Sequence, residues 1–256
     1  MSRKLCAAFT LAAATILSST CFGQTNSANS PAKEINTAVM PVARTNAWWM
    51  QRHEQVLKRM AQGDVGMIFV GDSITHYWES RGKTVWNRYY APRHAVNLGF
   101  SGDKTENVLW RLEHGEVAGI HPKLAVVMIG TNNRNPANEI ADGIQAIVEQ
   151  LRARLPETKI LVLAIFPRGS YEDRKDPKIL ESGRNTLWNT DAEASRIVSN
   201  MADNKMIYYL DIGDAFLKNG KVQRKFMPDF LHPNTQGYQV WAEAMEPTIK
   251  ELMDEK

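Results

Sequence analysis

From residue 66 onward, the hydrophobic residues fall into short runs separated by longer amphipathic stretches. Each run is four to six residues long and shows little alternation between apolar and polar positions. The runs lie at residues 67–70, 95–98, 124–129, 160–165 and 206–210. Such runs are typical of strands buried on both faces, as in a parallel sheet. The pattern therefore predicts five parallel strands.

Apolar residues at helical spacing precede and separate these runs. Thr45 or Asn46 can cap a first helix, and Gly63 can end it. The apolar face of that helix would comprise Trp49, Val56, Leu57 and Met60. Further helices are predicted around residues 108–112, over 140–151, from about 177 to 202 and from about 235 to 253. Alternation of strands and helices predicts a three-layer α/β/α sandwich.

The first residues have the pattern of a secretory signal. A charged start, MSRK, is followed by an apolar stretch over residues 5–17 that is too short to span a bilayer. Small residues near Gly23 predict cleavage just before Gln24, so we expect a secreted or periplasmic protein with no stable membrane anchor. A lipoprotein anchored at Cys21 is the alternative, although Ser18 and Thr20 depart from its usual pattern.

Removing residues 1–23 would change what chemistry the chain can support. Both cysteines, Cys6 and Cys21, lie in this segment, so the remaining chain would have no disulfide, thiol nucleophile or thiolate metal site. The remaining 233 residues (256 less 23) suit one domain. Residues 24–44 are polar and contain two prolines, which predicts a flexible leader before a single domain at 45–256.

The charge balance argues against two kinds of partner. The net charge of +3 falls to +1 (29 basic less 28 acidic residues) once Arg3 and Lys4 are removed. A nearly neutral chain is not typical of proteins that bind nucleic acid or a membrane surface. We therefore expect a small-molecule substrate.

Polar segments follow the predicted strands, where ligands of parallel α/β folds bind. The first, GDSIT at residues 71–75, places Ser73 at a strand-to-helix turn, which is a position for a nucleophile. The alternative is that Asp72 or Ser73 only caps the next helix. Thr75 stands where a Gly-x-Ser-x-Gly elbow would need glycine, so the segment is not that motif.

Two further segments could supply hydrogen-bond donors to the same point. Gly102 has no side chain, so its N–H can approach a substrate oxygen closely, and Asn132 in the third segment carries a side-chain amide. Paired asparagines such as Asn132 and Asn133 are also ordinary turn residues. Asp103 with Glu106 has the spacing of a capping box for the next helix.

The fourth segment contains a candidate base. Asp229 lies three residues before His232, so its carboxylate can fix one ring nitrogen while the other accepts a proton. A plain turn is the alternative. His76, one helical turn from Ser73, is the rival base. The remaining histidines are predicted on helix surfaces (His53, His114) or flanking strands (His94, His121).

The four segments together resemble the four blocks of the SGNH, or GDSL, hydrolase family. The likeness extends to the catalytic subunits of platelet-activating-factor acetylhydrolase Ib. It is carried by NLG at 97–99, VLWRL at 108–112, VVMIGTNN at 126–133, FPRG at 166–169 and DFLH at 229–232. It covers residues from about 66 to 250. The secretion signal departs from those intracellular relatives.

The resemblance implies a flavodoxin-like sandwich and a serine esterase that needs no metal or cofactor. It assigns Ser73 as nucleophile, His232 as base and Asp229 as the acid that orients the base. The oxyanion hole would comprise the Ser73 and Gly102 N–H groups with the Asn132 amide.

The substrate is less closely indicated. No insertion between the blocks is long enough for a lid or an acyl tunnel, which with the resemblance favours a short acyl group, chiefly acetyl. Candidate substrate-binding residues near the blocks are Asp72, Tyr77, Trp78, Phe100, Asn133, Arg168 and Phe230. The aromatic ones could instead pack in the core, and Arg168 could instead pair with a surface acid.

Secretion favours an acetylated carbohydrate as substrate. Hydrolysis of platelet-activating-factor-like lipids or lysophospholipids is the alternative activity, and a non-catalytic carbohydrate-binding or scaffold protein is a third possibility. The sequence does not indicate an oligomeric state.

Overall fold

The computed structural model describes Met1 and residues 35–254 of the chain. Clustering of contacts divides the chain into two units, residues 1–35 and 36–256. Only Met1 and Ile35 of the first unit are described. Apart from Met1, the predicted signal peptide at 1–23, its cleavage site and the leader up to residue 34 lie outside the described residues.

A parallel sheet forms the centre of the second unit, and a small antiparallel sheet lies beside its later loops. The strands of the described residues are β1 Met67–Gly71, β2 Ala95–Gly99, β3 Leu124–Met128, β4 Lys159–Leu163, β5 Glu181–Ser182, β6 Ile207–Leu210, β7 Leu217–Lys218 and β8 Lys221–Gln223. The large sheet has the order β2-β1-β3-β4-β6 with every pair parallel, and the small one has the order β5-β8-β7. The five predicted apolar runs form the parallel sheet, so the predicted α/β fold is confirmed.

Helices cover both faces of this sheet. They are α1 Ala47–Met60, α2 Ser73–His76, α3 Lys83–Tyr89, α4 Thr105–Glu113, α5 Ala137–Arg154, α6 Tyr171–Lys175, α7 Thr186–Ser199 and α8 Thr235–Leu252. Alternate residues of β1 separate the two cores: Ile68 and Val70 pack with α1, α4 and α5, while Met67 and Phe69 pack with α3 and α8. Burial on both faces explains why the strands read as continuous apolar runs.

Within the described part of the chain, no helix is long and apolar enough to cross a bilayer.

The predicted long helix over 177–202 is wrong in its first third. Helix α7 begins only at Thr186, because the Asn185 side chain caps it by accepting from Trp188 N at 3.1 Å. The residues before it bond to Arg224 instead: the Ile179 carbonyl accepts from Arg224 Nε, and the Leu180 carbonyl accepts from Arg224 N at 3.0 Å. Strand β5 then pairs with β8.

Residues 36–44, here named the N-terminal strap, are packed against α4. The Ala38 carbonyl, on a fully buried residue, accepts from Thr105 Oγ1 at 2.8 Å. Val42 N donates to the Glu106 carbonyl at 3.0 Å, and the Val42 carbonyl accepts from Asn107 Nδ2 at 2.9 Å. The predicted flexible leader at 24–44 is therefore wrong for residues 36–44. Backbone hydrogen bonds hold the strap although it carries no apolar periodicity.

Arg111 of α4 is fully buried and joins two fully buried carboxylates. Its Nε donates to Asp103 Oδ2 at 2.8 Å, and its Nη1 donates to Glu116 Oε2. Trp49 Nε1 of α1 donates to the other Asp103 oxygen at 2.7 Å. The Arg111 guanidinium also lies 3.9 Å from the centre of the Phe100 ring. Each charge thus has a partner, as buried charges require.

This cluster corrects two predictions. Asp103 does not cap α4: Lys104 is the N-cap residue, and its N–H donates to Asn107 Oδ1 at 3.0 Å. His53 does not lie on a helix surface, because it is 4% exposed and its Nδ1 lies 2.9 Å from Glu116 Oε1. His114 is exposed as predicted. Partners distant along the chain decide both corrected positions, so local spacing misreads them.

A second buried polar cluster lies where β1, β3 and β4 end. Arg168 Nη1 donates to the Thr131 carbonyl at 2.7 Å and lies 3.9 Å from Asp191 Oδ2. Asp72 accepts from Ile74 N at 2.9 Å. Burial, the largest effect, raises the pKa of Asp72 to about 7, and it does the same for Asp191. Each carboxyl is therefore partly protonated near neutral pH.

We predict that Arg111→Met lowers the free energy of unfolding by about 3–5 kcal/mol, because it leaves two buried carboxylates without their cation. Urea denaturation measures the change. Arg196→Met is the matched control, since Arg196 pairs with Glu193 at an exposed site and its removal should leave stability nearly unchanged. A loss for Arg111→Met as small as that of the control would contradict the prediction.

We predict that Asp72→Asn becomes more stabilising as pH rises. The folded pKa of about 7 exceeds the unfolded value of 3.8, so between these values the folded chain holds the extra proton and its stability falls with rising pH. Asparagine has no such proton and still accepts from Ile74 N. Relative to wild type, the variant's unfolding free energy should gain on the order of 2 kcal/mol between about pH 5 and pH 8.

Urea titrations at several pH values measure this difference. Asp203→Asn is the control: backbone N–H groups lower the pKa of Asp203 to about 2, so its effect should not vary over the same range. A pH-independent difference for Asp72→Asn would sink the prediction.

Candidate active site

Ser73 opens α2 directly after β1, at the carboxyl edge of the sheet. Its Oγ lies 2.9 Å from His232 Nε2, and the residue is 6% exposed. Helix α2 lies tightly over the end of β2, since a Cβ added to Gly99 would come within 2.3 Å of His76 N. Tyr238 Oη of α8 donates to the Ile74 carbonyl at 2.6 Å. The serine is thus fixed by a short helix held from two sides.

His232 is held by Asp229 on the same loop. Its Nδ1 lies 2.7 Å from Asp229 Oδ2, while Asp229 Oδ1 accepts from the N–H groups of His232 and Leu231 at 2.8 and 3.2 Å. Burial acts to raise the pKa of Asp229, but these three donors together hold it well below its usual range. The carboxylate is ionised, so Nδ1 carries the ring proton and Nε2 faces Ser73 as an acceptor.

A left-handed turn at Phe230 makes this arrangement possible. Phe230 has φ 53°, which is rare for an aromatic residue. Its N–H donates to the Met227 carbonyl at 2.8 Å, and the Arg224 guanidinium lies 4.3 Å from its ring centre. The ring is fully buried. Phe230 therefore shapes the loop, and its prediction as a substrate-binding residue is wrong.

Three possible donors to an oxyanion come from the ends of β1, β2 and β3. The Ser73 N–H is at the first position of α2, where a helix offers no partner of its own. Gly102 is exposed and has φ 82°, a conformation that glycine adopts at little cost. Asn132 Nδ2 donates one hydrogen to the Asp103 carbonyl at 3.0 Å and keeps a second hydrogen.

The rival base, His76, is engaged elsewhere. Its Nδ1 lies 2.9 Å from Ser101 Oγ and accepts from Ser101 N at 3.3 Å. Burial, followed by the Arg52 cation, lowers the pKa of His76 to about 4, so its ring is neutral at neutral pH. His76 thus supports the loop that contains Gly102, whereas His232 contacts Ser73.

The remaining candidate residues divide by burial. Tyr77 is half-buried, and its ring centre lies 5.2 Å from that of His232. Trp78 and Phe100 are fully buried in the two cores. Asn133 is 3% exposed, and its Oδ1 accepts from Thr105 N at 3.1 Å. Of these four, only Tyr77 can face a substrate, and the prediction is wrong for the other three.

Asp72 and Arg168 also belong to the interior. Asp72 is 1% and Arg168 is 4% exposed, and both lie in the buried cluster beneath the site. The prediction of substrate contact is wrong for these residues, as is the pairing of Arg168 with a surface acid, because Asp191 is buried too.

Sequence reasoning missed Arg44, which bonds to the loop carrying Gly102. Its Nη1 donates to the Ser101 carbonyl at 2.7 Å. Arg44 precedes every block of the resemblance and lies in the segment predicted to be flexible. Arg44 is the one charged residue at positions 36–44, and this was the one available signal.

No group of three or more histidine, cysteine, aspartate or glutamate side chains within the described residues is arranged to hold a metal ion. The site comprises a hydroxyl, an imidazole, a carboxylate and amide donors. This set can carry out acyl transfer without further groups.

Comparison with known proteins identifies relatives of this chain. Residues 69–240 match the model of the GDSL-like Lipase/Acylhydrolase family. The chain is 33% identical over 210 residues to platelet-activating factor acetylhydrolase IB subunit alpha2 of Rattus norvegicus, which covers 81% of this chain and 86% of the relative.

Solved structures agree on the fold. A chain from Bacteroides fragilis superposes with a TM-score of 0.65 at 17% identity, covering 82% of this chain and all of its own. Est24, a carbohydrate acetylesterase from Sinorhizobium meliloti, gives a TM-score of 0.57 at 18% identity and covers 73% of this chain and 99% of its own. The family match over residues 69–240 and the 33% identity to the acetylhydrolase subunit show that the chain belongs to the GDSL-like lipase/acylhydrolase family of ester-hydrolysing enzymes.

Proposed function

We propose that this acylhydrolase is a secreted serine esterase that removes short acyl groups, chiefly acetyl, from oxygen esters of carbohydrates. The observation that carries the proposal is the continuous hydrogen-bonded chain from Ser73 Oγ to His232 Nε2 (2.9 Å) and from His232 Nδ1 to Asp229 Oδ2 (2.7 Å). A nucleophile, a base and an orienting acid in contact are the minimum set for this chemistry.

The reaction follows from the roles of these groups. Ser73 Oγ attacks the ester carbonyl while His232 Nε2 takes its proton and then returns a proton to the leaving alcohol. The Ser73 and Gly102 N–H groups and the Asn132 amide donate to the oxyanion as it forms. Water, activated by His232, then attacks the acyl-enzyme carbonyl and releases the acid. Asp229 stays ionised and stabilises the imidazolium in both halves.

Burial near the site supports a short acyl group. The large aromatic side chains that could line an acyl channel, Trp78, Phe100 and Phe230, are fully packed in the interior. The curated relative is named for removing an acetyl group. A small acyl group needs little more than the space beside Ser73.

Two observations support a carbohydrate as the alcohol half. Tyr77, half-buried beside His232, can offer a ring face to a sugar. A structural neighbour is a carbohydrate acetylesterase. The charged start and the apolar stretch at residues 5–17 support secretion or a periplasmic location, where acetylated carbohydrates are found. We therefore propose that the binding partner is a small acetylated carbohydrate rather than nucleic acid.

A lipid ester of the platelet-activating-factor type is the second candidate. The 33% identity to a platelet-activating factor acetylhydrolase subunit favours it. Exposed Met40 and Val42 also line a cleft that reaches Gly102, and they could contact an alkyl chain. A non-catalytic binding protein is disfavoured, because Ser73, His232 and Asp229 keep mutual contacts suited to turnover.

We predict that the wild-type chain hydrolyses p-nitrophenyl acetate faster than the butyrate or octanoate ester. Ser73→Ala should lower kcat by several orders of magnitude, since the nucleophile and base act as a unit. Steady-state kinetics on purified protein measure both. Ser199→Ala, on α7 and bonded only to the Arg196 carbonyl, is the control and should keep full activity. A preference for octanoate would refute the short-acyl proposal, and near-normal turnover by Ser73→Ala would refute the mechanism.

We also predict that acetylated carbohydrates release acetate faster than platelet-activating factor does. The screen should compare acetylated xylan, acetylated sialic acid, acetylated chitin oligosaccharides and platelet-activating factor, with Ser73→Ala as the blank. Tyr77→Ala should raise KM for the preferred sugar ester more than for p-nitrophenyl acetate, because it removes a stacking surface. Faster release from platelet-activating factor would favour the lipid candidate instead.

A further inference from the structure

Arg44 of the N-terminal strap contacts the loop that carries Gly102. Its Nη1 donates to the Ser101 carbonyl at 2.7 Å and lies 3.4 Å from Asp103 Oδ1. The guanidinium also lies 5.5 Å from the Trp48 ring centre. A Cβ added at Gly102 would meet Arg44 Nη1 at 2.9 Å. Arg44 therefore lies against the loop on the side of Gly102 where a side chain would project.

The bonded carbonyl belongs to the same peptide unit as the Gly102 N–H. In a trans peptide, the C=O and N–H groups lie in one plane and point in opposite directions. Holding the Ser101 oxygen against Arg44 therefore fixes the Gly102 N–H in the direction away from the guanidinium. Glycine at φ 82° would otherwise allow this peptide to rotate at little cost.

Other side chains hold the peptide unit before this one and the peptide unit that follows Asp103. His76 Nδ1 accepts from Ser101 N at 3.3 Å, and Asn132 Nδ2 donates to the Asp103 carbonyl at 3.0 Å. Arg44 is the side chain bonded to the carbonyl between Ser101 and Gly102. A cation on that oxygen also polarises the peptide and strengthens its N–H as a donor.

We propose that Arg44 is a positioning residue for ester hydrolysis, which locks the Ser101–Gly102 peptide with its N–H oriented to bind the oxyanion. The inference rests on the proposed function, in which the Gly102 N–H is an oxyanion donor. It assigns a role in turnover to the strap, which lies outside the family match at 69–240. Removing the guanidinium leaves the strap attached, because Ala38 and Val42 hold it through backbone bonds.

Kinetics of Arg44 variants test this proposal with p-nitrophenyl acetate as substrate. Arg44→Ala should lower kcat about 10- to 100-fold, somewhat less than the loss of a whole oxyanion donor, and should change KM less than about threefold. Added guanidinium ion should restore part of the kcat of Arg44→Ala. It should not restore that of Asn132→Ala, in which a proposed donor itself is missing. Arg44→Met keeps the aliphatic stem and should show the same kcat loss.

Arg59→Ala is the matched control. Arg59 lies in the last turn of α1 and donates to the Gly63 and Asp64 carbonyls rather than to the loop that carries Gly102, so its removal should leave kcat unchanged. Thermal unfolding midpoints show that each variant is folded. Arg44→Met keeps the test valid should Arg44→Ala unfold.

Three outcomes are separable. If Ser73→Ala is inactive but both Arg44 variants keep a kcat within twofold of the wild-type value, only this inference is overturned. A rise in KM with kcat unchanged would also overturn it, since Arg44 would then bind substrate rather than position the loop. Activity that survives Ser73→Ala would overturn the proposed function, and this inference with it.

Discussion

The site depends on the buried charge of Arg111. Its guanidinium bridges the carboxylates of Asp103 and Glu116, and Trp49 completes the shell around Asp103. Removing three charges from water is costly, so the cluster persists only because each oxygen has a donor. In return, it fixes the loop after β2 relative to α4 and α1. Gly102 directly precedes Asp103, so the geometry of a proposed oxyanion donor is set by a charge cluster in the core.

Parallel strands account for the convergence of the remaining groups. Gly71 of β1 pairs in register with Gly99 of β2 and Met128 of β3, so the three strands end level with one another. The loops that follow therefore place Ser73, Gly102 and Asn132 side by side. The Asp229–His232 loop arrives from the far end of the chain and needs its own rigidity, which the left-handed turn at Phe230 supplies. Sheet register thus positions the proposed oxyanion donors, and a local turn positions the proposed base.

Burial on both faces leaves a clear signal in sequence, which is why the five strands and most helices could be predicted. The contact between Asp229 and His232 was equally predictable, because the two residues are close along the chain. The sequence did not predict the surroundings of Asp103, His53 and Arg168, because these residues have partners far away along the chain. Nothing at the positions themselves distinguishes a buried ion pair from a cap or a surface residue. The aromatic candidates failed for a related reason: proximity in sequence to Ser73 does not reveal whether a ring points outward or into a core.

The N-terminal strap shows a different limit. A segment held by backbone hydrogen bonds needs no periodic apolar face, so residues 36–44 show no pattern of a helix or strand even though Ala38 is fully buried. The family match covers the proposed catalytic residues, whereas the strap adds a cation to the peptide that presents Gly102. A rigid donor needs no reorganisation when charge develops on the substrate, which is the main advantage of an oxyanion hole over water. In the proposed role of Arg44, a residue outside the family's motifs affects turnover by restricting one peptide plane, without touching the substrate.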